Sequence, residues 1–348
     1  MHDFSLSIRL WYRQNKRDLP WRNTKNAYFI WLSEIILQQT RVDQGKKYFD
    51  KFIKHYPKIK DLANAEEQEV LNLWQGLGYY SRARNLHYAS KQIINDYNGV
   101  FPNSFKEIKK LKGVGDYTAS AIASFVFKLP HAVVDGNVYR VLARYYADNT
   151  PIDSSQGQKL FKAYAQDLIP LDAPDEFNQA IMELGALVCT PKNPKCDTCP
   201  LNENCSAYIG SDPLLYPVKA KKTKVTTKFF NYFINTTNSF QIEKRNQKGI
   251  WQNMYQFPLI ESEKQLSIEK VCELTIEKWG VKVIKKQATY KHILSHQKIQ
   301  AIFWVLEKPV PKNKKYINIT FEELYKYPIP RLIDRYLEEN LEAYDTEN

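Results

Sequence analysis

Apolar residues in the first 209 positions recur at the three-to-four-residue spacing of a helix. The pattern is clearest in 27–37 (AYFIWLSEIIL), 66–77 (EEQEVLNLWQGL), 117–127 (YTASAIASFVF) and 137–147 (NVYRVLARYYA). Proline or glycine separates these runs, at Pro57, Gly76, Gly78, Pro102, Gly113, Pro130, Gly136 and Pro170 among others. Ser104 and Glu107 have capping-box spacing and predict a short helix before Gly113. From Gly210 the texture changes. Residues 210–227 are rich in Lys and Pro, lack periodicity and predict an exposed linker. Beyond it, 229–234 (FFNYFI), 239–244 (SFQIEK) and 298–307 (KIQAIFWVLE) predict strands, while 267–279 and 330–343 predict helices. The expectation is multidomain: an all-α domain over 1–209, a linker over 210–227 and an α+β domain over 228–348.

Composition narrows the class. Of 348 residues, 43% are hydrophobic and 14% aromatic, enough for two cores and too apolar for disorder. The net charge of +12, with both parts basic, suits a polyanionic partner. No run reaches the roughly 18–20 apolar residues of a membrane span, and the N-terminus lacks a signal-peptide core. A soluble, cytoplasmic protein with no membrane contact is expected. Five cysteines do not make a secreted disulfide framework, and four of them crowd into one short loop.

Cys189, Cys196, Cys199 and Cys205 are spaced C-x6-C-x2-C-x5-C, with Pro191, Pro194 and Pro200 stiffening the loop between. Four thiolates so close can wrap one centre. Structural zinc usually takes two separated short-spaced pairs, whereas one tight pair with unequal outer gaps suits an iron–sulfur cluster. Spacing alone leaves both metals open. Cys272 falls outside the pattern, on an amphipathic helix, and reads as a core residue.

Three further features carry candidate chemistry. Gly113 and Gly115, in Leu-Lys-Gly-Val-Gly between two helical runs, permit a tight hairpin whose backbone N–H groups face outward at a helix start, a phosphate-binding arrangement and also an ordinary helix connection. Asp135 opens Asp-Gly-Asn directly before a helix, where the helix dipole favours an ionised carboxylate. By position alone it is a simple N-cap. Glu34 interrupts the apolar run 27–37, and a carboxyl in apolar surroundings has a raised pKa and can act as a general acid. The alternative puts it on a solvated helix face.

Taken together, these residues resemble the endonuclease III and adenine DNA glycosylase superfamily of helix-hairpin-helix enzymes. The cysteine loop, following FNQAIMELGALVC, looks like the superfamily's 4Fe–4S loop, which implies one cluster per chain. The segment 33–42 (SEIILQQTRV) looks like the adenine glycosylase catalytic segment, which implies that Glu34 is the acid. The stretch from the Gly113–Gly115 hairpin to Asp135 looks like the hairpin, loop and catalytic aspartate of DNA glycosylases, and Asn137 is grouped with that site. Tyr117 stands where the endonuclease III branch has its Schiff-base lysine. A phenol forms no imine, so base removal without strand cleavage is implied. Gln38, Gln39, Leu77 and Tyr79 match positions that wedge into the duplex while the target base is flipped, although Leu77 also reads as core. Trp21 and Arg22, in LPWR, match in a supporting, DNA-contacting role.

The second part resembles, more loosely, the Nudix-like domain of adenine glycosylases, through KGIWQNMYQFP and the segment His292–His296. Anchored on Gly280, a Nudix helix here retains Glu277 but has Glu273, Leu274 and Lys278 where Arg, Glu and Glu belong, so pyrophosphate hydrolysis is not expected. Leu294, Ser295 and His296 stand where the family probes 8-oxoguanine with Phe-Ser-His. The implied function is a monomeric, monofunctional adenine glycosylase acting on duplex DNA with A·8-oxoG or A·G mispairs. A bifunctional pyrimidine-lesion glycosylase and a non-catalytic mismatch-binding protein are the alternatives.

Overall fold

A computed structural model describes residues 4–210, 212–220, 225–235, 239–294, 297–324 and 326–340. Helices account for the first part: α1 (Phe4–Asn15), α2 (Ala27–Leu37), α3 (Val42–His55), α4 (Ile59–Asn64), α5 (Glu67–Leu73), α6 (Ser81–Asp96), α7 (Phe105–Ile108), α8 (Asp116–Phe125), α9 (Gly136–Tyr145), α10 (Ser155–Leu168), α11 (Pro174–Leu187) and α12 (Ser206–Gly210). The helical periods of the sequence lie in α2, α5, α8 and α9. The predicted cap before α7 is present, with Ser104 Oγ accepting the Glu107 N–H at 3.3 Å.

The chain packs into two compact units that do not follow chain order. One comprises Met1–Asn64 and Asn85–Lys222, the other Ala65–Arg84 and Thr223–Asn348. In the first, α1, α9, α10 and α11 close over a core of Phe4, Ile8, Leu142, Phe161, Phe177 and Leu184. Helix α2 packs on α3 and α8. It is apolar on every side, as a helix inside a core must be, and buries residues 30–36 without a break.

Within the stretch expected to be an exposed linker, residues 213–220 are bonded to this unit. Arg144 Nε donates to the carbonyls of Pro213 (2.8 Å) and Tyr216 (3.2 Å). Ile152 N–H donates to Val218 O at 3.0 Å, and Ala220 N–H to Asp153 Oδ1 at 2.9 Å. Exposed Lys and Leu side chains gave the segment its linker texture, while its backbone is tied down.

The second unit contains two sheets. The first, ordered β4-β1-β6-β5, joins β1 (Thr226–Asn235) parallel to β6 (Gln297–Leu306), with β4 (Leu259–Ser262) and β5 (Val283–Ile293) antiparallel at the edges. The second, ordered β3-β2-β7, is antiparallel and uses β2 (Ser239–Lys244), β3 (Tyr255–Gln256) and β7 (Tyr316–Thr320). Helices α13 (Ile268–Trp279), α14 (Phe321–Leu324) and α15 (Arg331–Asn340) complete it. Phe233, Val271, Trp279, Ile302 and Trp304 form one of its cores. Gly280 ends α13 in the left-handed region (φ 66°). Cys272, on α13, is half-buried rather than a core residue.

Candidate active site

Three chain segments converge on one cleft of the helical unit, with a volume of about 1110 Å³. Its walls include Glu34, Gln38 and Gln39 from α2 and its end, Gly113, Gly115 and Tyr117 from the hairpin and α8, and Asp135 and Asn137 from the start of α9. Trp21 and Arg22 line it as well. Residues spread over more than a hundred positions of sequence thus share one concave surface, which is how active sites are built.

Glu34 is 8% exposed. Burial pushes its carboxyl up to about 7 and the nearby Asp135 charge adds to the rise, while a hydrogen bond from Tyr117 and the Arg22 charge act against it. Tyr117 Oη donates to Glu34 Oε2 at 3.1 Å. That bond orients one carboxyl oxygen. Tyr117 is itself pushed well above its ordinary range, first by burial and then by Glu34 and Asp135, so it remains a neutral donor. The solvated-face alternative for Glu34 is excluded.

Asp135 caps α9 with both oxygens engaged. Oδ1 accepts the N–H groups of Asn137 and Val138, both at 2.8 Å, and Oδ2 accepts Asn137 Nδ2 at 2.8 Å. Burial moves this carboxyl upward, against the pull of those three donors and of Arg140. Three donors to an acid oxygen pair favour the ionised form. The N-cap and the cleft-facing roles are therefore one arrangement: the cap holds the carboxylate in place.

Asn137 is in turn fixed from behind. Gly185 on α11 lies so close that a Cβ there would come within 2.6 Å of Asn137 Cβ. Arg140 Nη2 donates to Asn137 Oδ1 at 2.8 Å and to Gly185 O at 2.7 Å, and its Nε donates to Cys189 O at 2.7 Å. A continuous hydrogen-bonded path thus runs from the first cysteine through Arg140 and Asn137 to Asp135.

The hairpin is built by close approach. Gly113 adopts φ +77°, and a Cβ there would meet the Asn85 side chain at 2.6 Å. Helix α8 then starts at Gly115 with no side-chain cap, leaving backbone N–H groups at its first turn for an external acceptor. Gln38 Nε2 donates to Thr118 Oγ1 at 3.2 Å, and Gln39 takes a left-handed conformation (φ 56°) at the cleft.

Sequence reasoning missed Arg17 and Glu183, which also line the cleft. Glu183 is 1% exposed and accepts from Arg17 Nη2 at 2.6 Å and from Arg22 Nη2 at 2.8 Å. Burial alone moves its carboxyl upward, but the two arginines outweigh burial and hold it at about 2. A permanently ionised Glu183 therefore fixes Arg22 at the cleft wall. The signal was available, because Glu183 interrupts an apolar helix just as Glu34 does. Its arginine partners lie some 160 positions away.

The four cysteines ring a second, small cavity with Val141, Leu184, Val188, Leu201 and Tyr145. Among the described residues, no three or more His, Cys, Asp or Glu side chains close to the spacing of a single ion. Burial pushes the Cys199 thiol up to about 12. Arg144 braces the loop through Cys189 Sγ (3.3 Å) and Thr190 O (2.8 Å).

Comparison with known proteins agrees with this geometry. Residues 32–185 match the HhH-GPD superfamily of base excision DNA repair proteins, 189–205 the iron–sulfur binding domain of endonuclease III, and 231–339 the NUDIX domain. An adenine DNA glycosylase of Buchnera aphidicola (subsp. Baizongia pistaciae) is 39% identical over 300 residues, covering 84% of this chain and 83% of its own. One from the Acyrthosiphon pisum subspecies is 34% identical over 325 residues, covering 93% and 90%. The chain belongs to the adenine DNA glycosylase family. A thermostable thymine-DNA glycosylase structure shares the helical fold at 32% identity and a TM-score of 0.55, covering 59% of this chain and 94% of that one. The match to the endonuclease III iron–sulfur domain assigns this family member a 4Fe–4S cluster, and the matched span 189–205 contains Cys189, Cys196, Cys199 and Cys205.

In the second unit, Tyr79 is 42% exposed in a left-handed conformation (φ 47°), between Gly78 (φ 70°) and buried Tyr80. Leu77 is 7% exposed and packs inward, which favours the core reading for that residue. On α13, Lys278 lies over the Trp279 ring at 4.8 Å and donates to Leu259 O at 3.4 Å, where a Nudix hydrolase has a carboxylate. Leu294 N–H donates to Gln297 O at 2.8 Å. Ser295 and His296 lie outside the described residues. Among the described residues, no helix is long and apolar enough to cross a membrane.

Proposed function

We propose that the protein hydrolyses the N-glycosidic bond of adenine mispaired with 8-oxoguanine or guanine in duplex DNA, without cutting the strand. The observation that carries this reading is the pairing in one cleft of Glu34, its carboxyl raised to about 7, with Asp135, held by three hydrogen-bond donors. Breaking this bond requires an electron-rich purine to depart from an oxocarbenium-like sugar. Glu34 delivers a proton to adenine N7, and the base leaves with the bonding electron pair. Asp135 stabilises the sugar cation. Water then adds to C1′, its proton passing to Glu34, which is thereby reset. An acid at Glu34 and a carboxylate at Asp135 divide the work as in sugar hydrolases.

Strand cleavage would need an amine at the sugar. Tyr117 offers a phenol instead, and the amines at the cleft, Lys25 and Lys128, are exposed. Cys189, Cys196, Cys199 and Cys205 would hold the 4Fe–4S cluster, which would supply covalent cross-links across residues 189–205. Arg140 connects that loop to Asn137 and Asp135 through the bonds already described. The hairpin at Gly113–Gly115 suits a DNA phosphate, Tyr79 suits a wedge, and Leu294, Ser295 and His296 suit a reader of the opposite base.

The test is incubation with duplexes containing A·8-oxoG, A·G or thymine glycol, resolved on denaturing gels with and without alkali. Adenine loss from the first two, with strand breaks only after alkali, is expected. Cleavage at thymine glycol, or borohydride trapping of the protein on DNA, overturns the reading. Binding without base loss identifies a mismatch sensor instead.

A further inference from the structure

The loop at residues 76–80 is braced from within. Gly76, Gly78 and Tyr79 all take left-handed conformations (φ 95°, 70° and 47°). Trp74 Nε1 donates to Gly78 O at 3.1 Å, and Arg82 Nη2 donates to the carbonyls of Leu77 and Gly78, both at 3.2 Å. The Arg82 guanidinium lies 5.1 Å from the Trp74 ring centroid and 5.8 Å from that of Tyr79. The result is a rigid tip that presents Tyr79.

Both flanks of the loop are bonded to one short segment of the C-terminal chain. Before the loop, Glu67 Oε1 on α5 accepts Asn253 Nδ2 at 2.6 Å. After it, Arg84 Nη1 on α6 donates to Gln252 O at 2.7 Å. That segment is sharply turned, because Trp251 and Asn253 are both left-handed (φ 58° and 66°). Arg245 pins it, its N–H donating to Met254 O and its carbonyl accepting Asn253 N–H, both at 2.8 Å. The buried Trp251 ring then meets the His292 ring edge-on at 5.4 Å. His292 lies on β5, two residues before Leu294.

We propose that residues 251–253 act as a bracket between the end of β5, met at His292, and the loop at 76–80, with Trp251, Asn253 and Arg84 as positioning residues for lesion discrimination. The inference rests on the reading of Tyr79 as the wedge and 294–296 as the reader. Seating of residues 294–296 on 8-oxoguanine fixes the end of β5 and with it the bracket, and the bracket fixes where Tyr79 enters the stack. An A·G pair gives these residues less to hold, so its processing does not use this path.

A donor–acceptor exchange tests the bracket in the full-length, cluster-loaded protein. Asn253→Asp sets two carboxylates against each other, and Asp tolerates the left-handed backbone as Asn does. Adding Glu67→Gln restores an N–H···O bond with the roles reversed. The readouts are single-turnover excision on A·8-oxoG and A·G duplexes, and fluorescence of 2-aminopurine placed beside 8-oxoguanine. Asn253→Asp is expected to lower the preference for A·8-oxoG about tenfold, the scale of one charge-assisted hydrogen bond, and to reduce the unstacking signal. The A·G rate is expected to hold, and the paired exchange to recover both losses. Equal slowing on both duplexes, an unchanged preference, or no recovery in the pair overturns the bracket. Tyr79→Ala runs in parallel. If it leaves the fluorescence unchanged, the wedge reading fails and the bracket with it; if it abolishes the signal while Asn253→Asp does nothing, only the bracket fails.

Discussion

Replacing Glu34 by Gln keeps the side chain's shape and its capacity to accept from Tyr117, but removes the proton. The magnitude follows from linkage. In the unfolded chain this carboxyl titrates near 4.5, and in the folded chain at about 7. Between those values the folded protein binds more protons, so the stability tied to Glu34 is full below 4.5 and is lost as pH rises through 7. Between pH 5.5 and 9 the loss amounts to about 2 kcal/mol, because each pH unit crossed below 7 removes 1.36 kcal/mol. Glu34→Gln does not titrate, so its stability relative to wild type should improve by about that much over the same interval. Other titrating groups cancel in the comparison. Urea denaturation of both proteins at pH 5.5, 7 and 9 measures it. In parallel, single-turnover adenine excision by wild type should fall about tenfold per pH unit above 7 as the acid is lost. The variant should lose about 100- to 10,000-fold in rate while still binding the mispaired duplex. Parallel stability curves, or a wild-type rate flat through pH 7, would refute the assignment of Glu34 as a buried acid.

Three other outcomes follow from the same geometry. Tyr117→Phe removes the hydrogen bond that lowers the Glu34 pKa, so the basic limb of the pH–rate profile should move to higher pH; an unmoved limb would show that the phenol does not touch the acid in solution. Arg140→Gln breaks the bonds to Asn137, Gly185 and Cys189 and should slow excision by about 10- to 100-fold, with the iron content of the purified protein unchanged; loss of iron in step with rate would make Arg140 a loop brace only. The double change Ser295→Ala, His296→Ala should reduce the preference for A·8-oxoG over A·G by roughly 10- to 1000-fold, and equal loss on both duplexes would reduce the pair to a folding element.

What could be read from the sequence was whatever is encoded locally. Glu34 stood out because a carboxylate inside an unbroken apolar run has no water to face, and the structure buries it in a helix that is apolar on all sides. The caps before α7 and α9 were legible for the same reason, since a cap and its acceptor lie within three residues. The linker reading missed bonds made by the backbone of 213–220, because side-chain texture reports exposure and says nothing of where carbonyls and N–H groups are satisfied. Glu183 shows the same limit from the other side: the burial was visible, the two arginines that stabilise its charge were not.

The largest departure is the membership of residues 65–84, and it has a physical reason. Periodicity assigns α5 a buried face but not the surface that covers it. The polar face of α5 decides the question, because Gln68 Nε2 and Asn72 Nδ2 both donate to Lys326 O, at 2.7 and 2.8 Å, and Glu67 takes Asn253. One carbonyl shared by two amides one helical turn apart fixes both the rotation and the height of α5 against the C-terminal chain. Short amide side chains on a helix read as solvated positions, so a sequence pattern assigns them no partner. Under the function proposed above, such an arrangement has a use: the excised adenine is undamaged, and the lesion that would license removal lies on the other strand. If Tyr79 is the wedge and residues 294–296 the reader, as proposed, tying that loop to the chain that carries the reader would let recognition of one strand govern the opening of the duplex, whereas contacts to adenine alone would act equally on every A·T pair.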